Sequence, residues 1–231
     1  MASVGGLIFG FDTAVISGTT EQLKAYFDLS DAYLGWAVGM ALLGTITGAL
    51  TAGKPADRYG RKPVLFVIGI LYLVGALGSA FATNIVMLEI FRFLGGLGVG
   101  AASVCAPIYT AEIAPAKVRG RLVGLVQFNI VLGILLAYLS NTIVRAVVAN
   151  HETDWRWMFG VMAVPSAIFL VMLFTVPETP RWLMANGRAD EGREVIGRLT
   201  TSEDEARLQV EEINTSLSAA TNAPKVPFFT P

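Results

Sequence analysis

Long apolar runs alternate with short polar stretches along most of the chain. Six runs contain about 20 residues or more, the length that an α-helix needs to cross the hydrocarbon core of a bilayer. Because lipid offers no hydrogen-bond partner to the backbone, each run is predicted to be a helix. The pattern therefore predicts an all-α, polytopic membrane protein with a six-helix bundle, whose spans are Met1–Thr20, Leu34–Gly53, Pro63–Ala82, Ile85–Ala106, Val118–Ile143 and Trp155–Val176.

The pattern changes after the sixth run. Residues 177–217 are charged and favour helices, and Ser202 followed three residues later by Glu205 is typical of a capping box. Apolar positions then recur at helical spacing, which indicates surface helices lying against one end of the bundle. Residues 218–231 contain three prolines and are predicted to be a linker. The sequence thus divides into a bundle (1–176), a helical segment (177–217) and a linker (218–231).

Basic residues concentrate in alternate loops. The loop Gly53–Lys62 holds four, the loop after the fourth run holds three, and the segment after the sixth run holds six, whereas the remaining loops hold only Lys24, Arg145 and Arg156. The positive-inside rule therefore predicts a multi-pass protein of the inner or plasma membrane with both termini in the cytoplasm. It also predicts Trp155 and Trp157 at the outer interface.

Composition agrees with a membrane protein and argues against an enzyme. Hydrophobic residues make up 54% of the chain and charged residues 15%, whereas soluble domains average about 25% charged. A single cysteine, Cys105, and a single histidine, His151, provide neither an internal disulfide nor a histidine-based triad. We expect no catalytic residues, no cofactor, no metal and no nucleic-acid partner.

Two charges lie inside apolar runs, Asp12 in the first and Arg92 in the fourth. An unpaired charge in hydrocarbon costs roughly 2.5–3.5 kcal/mol on insertion scales. At 1.5 Å per residue, Asp12 lies roughly 12 Å and Arg92 roughly 10 Å below the outer ends of their helices. The matching depths make an Asp12–Arg92 pair geometrically plausible.

Such a pair could load and unload a proton. A guanidinium favours the ionised form of a neighbouring carboxylate, so moving the two apart favours proton uptake. Two alternatives stay open: the pair could be purely structural, or Arg92 could be neutralised by Glu89, which shares its helix face three residues earlier.

The fifth run carries polar side chains on one face, namely Gln127, Tyr138 and Asn141. Amides buried without a partner are costly, so this face should border a polar cavity or a neighbouring helix. Amide and aromatic groups suit a sugar, and hydrogen bonding between helices is the alternative, above all for Asn141. Phe9, one turn before Asp12, could line the same cavity or merely pack. The small residues of the fourth run, including Gly96 and Gly100, indicate close helix packing.

Together these motifs resemble the sugar porter family of the major facilitator superfamily, over nearly the whole chain. The resemblance is carried by five segments in order: GFDTAVISGT (Gly10–Thr19), the loop motif Gly53-x-x-x-Asp57-Arg58-x-Gly60-Arg61-Lys62, Arg92–Gly96, Pro107–Arg121 and Pro177–Leu183.

The resemblance implies a role for each matching residue. Asp12 corresponds to the proton-coupling acid and Arg92 to its partner, while Gln127 corresponds to a sugar-binding glutamine and Phe9 to an aromatic residue near the sugar. A cytoplasmic charge network that latches one conformation is implied for Asp57, Arg58, Arg61, Glu112, Arg119, Glu178 and Arg181.

The family has twelve spans, whereas this chain shows six. It is therefore expected to be an N-terminal half, which would need a C-terminal six-helix half or a second half-transporter in order to transport. The expected substrates are a monosaccharide (xylose- or hexose-like) and a proton. A facilitative sugar or polyol porter, or a membrane fragment that does not transport, remain as alternatives.

Overall fold

A computed structural model describes residues 2–114, 116–148, 152–200 and 202–222, and over these residues the secondary structure is helical. In chain order the helices are α1 (Ala2–Val15, followed by a 3₁₀ turn at Ile16–Gly18), α2 (Thr20–Tyr26), α3 (Asp31–Thr51), α4 (Gly53–Tyr59), α5 (Arg61–Ala80), α6 (Ile85–Ile113), α7 (Ala116–Val147), α8 (Asp154–Val161), α9 (Ala163–Phe174), α10 (Pro180–Ala185), α11 (Ala189–Leu199) and α12 (Glu203–Asn222).

The prediction of a helical membrane bundle is confirmed. Five helical stretches are long and apolar enough to cross a bilayer, and the first apolar helix, Val4–Gly18, is shorter. The first span comprises α1 and its 3₁₀ turn, the next four are α3, α5, α6 and α7, and the sixth comprises α8 and α9. We call the end of the bundle that holds α4 and the start of α5 the basic end.

Two segments differ from the sequence-based expectation. The stretch predicted as a loop at Gly53–Lys62 is mostly helix α4, because Ala52 keeps helical backbone angles and hardly interrupts the chain. The sixth run is one helical stretch, Asp154–Phe174, with a slight break at Met162, which keeps helical backbone angles. Pro165 accounts for this break, since its ring removes an amide donor and clashes with the carbonyl four residues earlier.

Glycines bring α3 and α6 into direct backbone contact. A Cβ atom added to Gly96 would lie 2.1 Å from the carbonyl oxygen of Ala41, and one added to Gly100 would lie 1.9 Å from that of Thr45. On the opposing helix, a Cβ at Gly44 would lie 2.2 Å from the carbonyl oxygen of Phe93. No larger residue fits such an approach, which is a common way for membrane helices to associate.

A second glycine seam joins α1 to α7. A Cβ at Gly10 would lie 1.9 Å from the carbonyl oxygen of Ile130, and one at Gly133 would lie 2.0 Å from that of Leu7. Near the other end of this seam, the amide of Asn141 donates to the carbonyl oxygen of Val15 at 3.1 Å. The seam fixes the position of α1 between α6 and α7.

The two tryptophans of the sixth span have different environments. Trp157 is 62% exposed, as an interfacial residue would be, but Trp155 is fully buried. Its ring packs near Phe159 and Phe27, and the guanidinium of Arg156 lies 4.5 Å from its centroid. The aromatic cluster therefore buries Trp155 within the protein, and the position of the two tryptophans at the outer interface stays a prediction.

The charged segment after the sixth run forms α10, α11 and α12. The hydroxyl oxygen of Ser202 accepts a hydrogen bond from the amide of Glu205 at 3.2 Å, as the capping box predicts. Of the apolar stripe on α12, Ile213 is buried. This helix continues to Asn222, beyond the expected start of the linker at residue 218, and residues 223–231 lie outside the described part of the chain.

The glycine seam between α3 and α6 predicts a strong asymmetry between two alanine substitutions. Gly100→Ala should lower the free energy of unfolding by about 1–3 kcal/mol, because the new methyl group forces the helices apart. Gly39→Ala is the matched control on α3, since a Cβ there meets nothing within 4 Å. Thermal unfolding in detergent measures both. Equal losses for the two variants would show that the seam does not limit packing.

Candidate functional site

Asp12 on α1 and Arg92 on α6 form a buried ion pair. One guanidinium nitrogen lies 2.6 Å from one carboxylate oxygen, and the other lies 3.5 Å from the second oxygen. Their side chains are only 5% and 4% exposed, respectively. The structure thus brings together the two intramembrane charges whose depths matched. Removing one partner of such a pair typically costs about 3–5 kcal/mol, since it leaves the other charge buried and unpaired.

The surroundings hold Arg92 in place. The ring of Phe159 on α8 lies beneath its guanidinium, 5.3 Å from centre to centroid, an arrangement that attracts cations. Within the described residues, the ion-pair partner of Arg92 is Asp12, and one carboxylate oxygen of Glu89 has no hydrogen-bond partner. The alternative in which Glu89 neutralises Arg92 is therefore not the arrangement seen.

Phe9 and Gln127 meet in a separate cleft between α1, α6 and α7. This cleft has a volume of about 360 Å³, and Ser103 and Pro107 of α6 line its far side. The volume falls within the range of small-molecule sites, roughly 300–1,000 Å³. Asp12 does not line the cleft, although it lies one turn from Phe9 on the same helix. The sugar-binding candidates are thus close to the charge pair but not part of it.

The other polar residues of α7 divide between two environments. Tyr138 is 54% exposed, while Asn141 is buried and bonded to α1. Gln127 is exposed at the cleft. The expected single polar face therefore serves two purposes: one amide faces a cavity and the other joins two helices.

At the basic end, Arg61 lies at the centre of a charge network. Its guanidinium lies 3.1 Å from the carboxylate of Asp57 and 3.0 Å from that of Glu112. Arg181 reaches the same oxygen of Glu112 at 3.9 Å. The side chains of Arg61 and Glu112 are 11% and 10% exposed, so their contact is screened much less than a surface pair.

Glu178 acts in this network as a helix cap. Its two oxygens accept hydrogen bonds from the first backbone amides of α5, those of Arg61 and Lys62, both at 3.0 Å. A carboxylate is stabilised at a helix N-terminus because free amides and the helix dipole converge there. Gly60 permits the approach: its φ is +103°, and a Cβ would lie 2.3 Å from the Glu178 carboxylate.

One expected member of the network, Arg58, lies apart from it. Arg58 stacks on Tyr59, 5.3 Å from the ring centroid, and the side chain of Arg119 lies outside the described residues. Hydroxyl groups that the sequence analysis missed also take part: the Thr179 hydroxyl donates to Glu112 at 2.7 Å, and the Tyr109 hydroxyl donates to the carbonyl oxygen of Pro177 at 2.8 Å. A hydroxyl is uncharged, so a search for charged residues does not find it. The only sequence signal for these two residues was their position within the family motifs.

Comparison with known proteins shows the family. A family model described as "Sugar (and other) transporter" matches residues 1–228. The chain belongs to this family of sugar transporters. The glucose transport protein of Synechocystis sp. is 38% identical over 226 residues, covering 94% of this chain and 48% of that protein. The D-xylose-proton symporter of Escherichia coli is 38% identical over 228 residues, covering 86% and 46%.

Solved structures show the same fold. The proton:xylose symporter XylE bound to 6-bromo-6-deoxy-D-glucose superposes with a TM-score of 0.89 at 36% identity, over 96% of this chain and 53% of that one. The inward-open form of the Escherichia coli protein gives a TM-score of 0.86 at 36% identity, over 96% and 56%. The helices therefore have the major facilitator arrangement, and the chain spans about half the length of the relatives it matches.

The cap on α5 predicts a local effect of removing Glu178. Glu178→Ala should lower the free energy of unfolding by about 1–2 kcal/mol and speed hydrogen exchange at the amides of Arg61 and Lys62. The matched control is Glu191→Ala, which removes an exposed carboxylate whose pKa the hydrogen-bonded Arg188 lowers. Mass spectrometry measures the exchange. Unchanged protection at the start of α5 would show that the cap does not hold this helix end.

Proposed function

We propose that the chain is the N-terminal half of a plasma-membrane transporter that couples the uptake of a monosaccharide to protons. The buried contact between Asp12 and Arg92 carries this proposal, because it places a titratable group with a tightly held cation inside the membrane. Relatives described as D-xylose-, arabinose- and galactose-proton symporters support the substrate class.

Proton binding follows from the electrostatics of the pair. While Arg92 stays 2.6 Å from Asp12, the guanidinium favours the ionised carboxylate. A movement of α1 relative to α6 that separates the two groups removes this effect and adds the burial cost of a lone carboxylate. Asp12 then takes a proton from water at the open side and releases it once the contact with Arg92 re-forms.

The sugar would occupy the cleft at Phe9 and Gln127. The amide of Gln127 can both donate to and accept from sugar hydroxyls, and the ring of Phe9 can face the apolar side of the pyranose. Phe9 and Asp12 belong to the same turn of α1, so a shift of α1 that follows sugar binding would also alter the contact with Arg92. Helix α1 would thereby couple sugar binding to proton binding.

The basic end would act as a latch on the cytoplasmic side, with both chain ends cytoplasmic. The network around Arg61, Glu112 and Arg181 ties α5, α6 and α10 together, and a single exposed pair would contribute only about 0–1 kcal/mol. A network of partly buried pairs is needed to bias a conformational equilibrium. Asp57, Arg58 and Arg119 would join it in other states of the cycle.

Transport would also require a second six-helix half, either a C-terminal one or a half-transporter. Alternating access in such transporters is a rocking of one bundle against another around a central site. The cleft in this chain is lined from one side by α1, α6 and α7, so the partner half would supply the opposite wall and further sugar contacts.

Asp12→Asn in the complete transporter should abolish proton-driven accumulation of the sugar while leaving counterflow exchange, because the amide cannot take up a proton. The readouts are radiolabelled sugar uptake and alkalinisation of the medium upon sugar addition. Asp28→Asn, the same change on an exposed residue of the loop before α3, should leave both unchanged. Accumulation that survives Asp12→Asn would rule out the coupling role and leave facilitation.

A further inference from the structure

The proposed transport cycle assigns no role to Glu89, which is a buried acid. It lies on α6 one turn before Arg92 and is only 8% exposed. One of its carboxylate oxygens has no hydrogen-bond partner within the described residues. Burying a carboxylate costs free energy unless its oxygens accept hydrogen bonds. If Glu89 served only the stability of the fold, we would expect both of its oxygens to be hydrogen-bonded.

Arg92 needs a second anion if Asp12 takes up a proton. Its guanidinium is 4% exposed and always charged. Protonation of Asp12 cancels the negative charge that balances it, and an unbalanced cation in this environment is strongly unfavourable. An anion within reach of Arg92 would remove that barrier to proton binding.

The geometry around Arg92 permits such an exchange. Residues three apart on a helix share a face, with Cβ atoms about 5–6 Å apart, so Glu89 lies within reach of a guanidinium that turns. A cavity of about 10 Å³, roughly the room of one water molecule, lies beside Arg92 and is bordered by Leu34 and Ala37 of α3, whereas Glu89 does not border it. The Nε atom of Arg92 is buried and has no hydrogen-bond partner in the part of the chain that the structure describes, so the side chain has an unused donor there.

We propose that Glu89 is the alternative counter-ion of Arg92, so that the guanidinium switches from Asp12 to Glu89 when Asp12 binds a proton. The proton adds to the Asp12 carboxylate, the hydrogen bonds between Asp12 and Arg92 break, and bonds between Glu89 and Arg92 form. The summed charge of the three groups changes from −1 to 0, and the arginine stays paired throughout. This inference rests on the proposed proton coupling and adds a positioning residue to it.

The other titratable groups nearby are phenols. Tyr33 of α3 lies beside Glu89, and Tyr72 of α5 lies within the field of Asp12. Both are neutral over the range in which carboxylates titrate, and neither can replace Glu89 as an anion. Within the described residues, the two candidate anions for Arg92 are Asp12 on α1 and Glu89 on its own helix.

A double-mutant cycle on the chain in lipid nanodiscs tests the switch without any transport. Asp12→Asn and Glu89→Gln should each lower the melting temperature moderately, because one anion remains for Arg92. The double variant should lose about 5 °C more than the sum of the two single losses, since no anion remains. Additive losses would overturn the proposal.

Two further measurements complete the test. Glu21→Gln, which removes an exposed carboxylate on α2, should combine additively with Asp12→Asn. A structure of the Asp12→Asn variant, which mimics the protonated acid, should show Arg92 within ion-pair distance of Glu89, and an arginine that stays on the substituted amide of α1 would contradict the switch. Since neither readout depends on sugar uptake, the proposal can fail while proton coupling through Asp12 stands.

Discussion

The cost of placing a charge in hydrocarbon constrains the architecture around α1. Asp12 and Arg92 neutralise each other only if α1 and α6 bring their two side chains into contact at one depth. The distance of 2.6 Å between a guanidinium nitrogen and a carboxylate oxygen meets that requirement. Close packing of glycines makes the approach possible: Gly10 and Gly133 let α1 rest on α7, while Gly96 and Gly100 hold α6 against α3. The ion pair therefore depends on seams that contain no charge.

The two ends of the bundle contribute differently to this arrangement. At the basic end, Glu178 caps α5 and Glu112 joins two arginines, so motifs far apart in sequence become one rigid cluster. Inside the membrane, the charges are few, and one oxygen of Glu89 has no hydrogen-bond partner among the described residues. The charged groups at the basic end are thus bonded more completely than the acid of α6 inside the membrane.

Features that depend on one helix were predictable, whereas those that depend on contacts between helices were mostly not. Helix rise alone placed Asp12 and Arg92 at matching depth, and the cap at Ser202 followed from local chemistry. The burial of Trp155, by contrast, depends on the rings of Tyr26 and Phe27 at the end of α2. The role of Glu178 as a cap on α5 had no signature in spacing, because any acid at the right place would accept those two hydrogen bonds. For Asn141, the polar face of the fifth run indicated a partner helix but not the carbonyl oxygen of Val15.

The central claim is that Asp12 is the group that carries the proton, held in its ionised form by Arg92. Infrared difference spectroscopy on the complete transporter tests it most directly, because a carboxylic acid and a carboxylate absorb at different frequencies. The conversion of one into the other can be followed as the medium is acidified. The account predicts an acid band that appears on acidification and is absent from the Asp12→Asn variant. A band that persists unchanged in that variant would assign the proton to another residue and contradict the account.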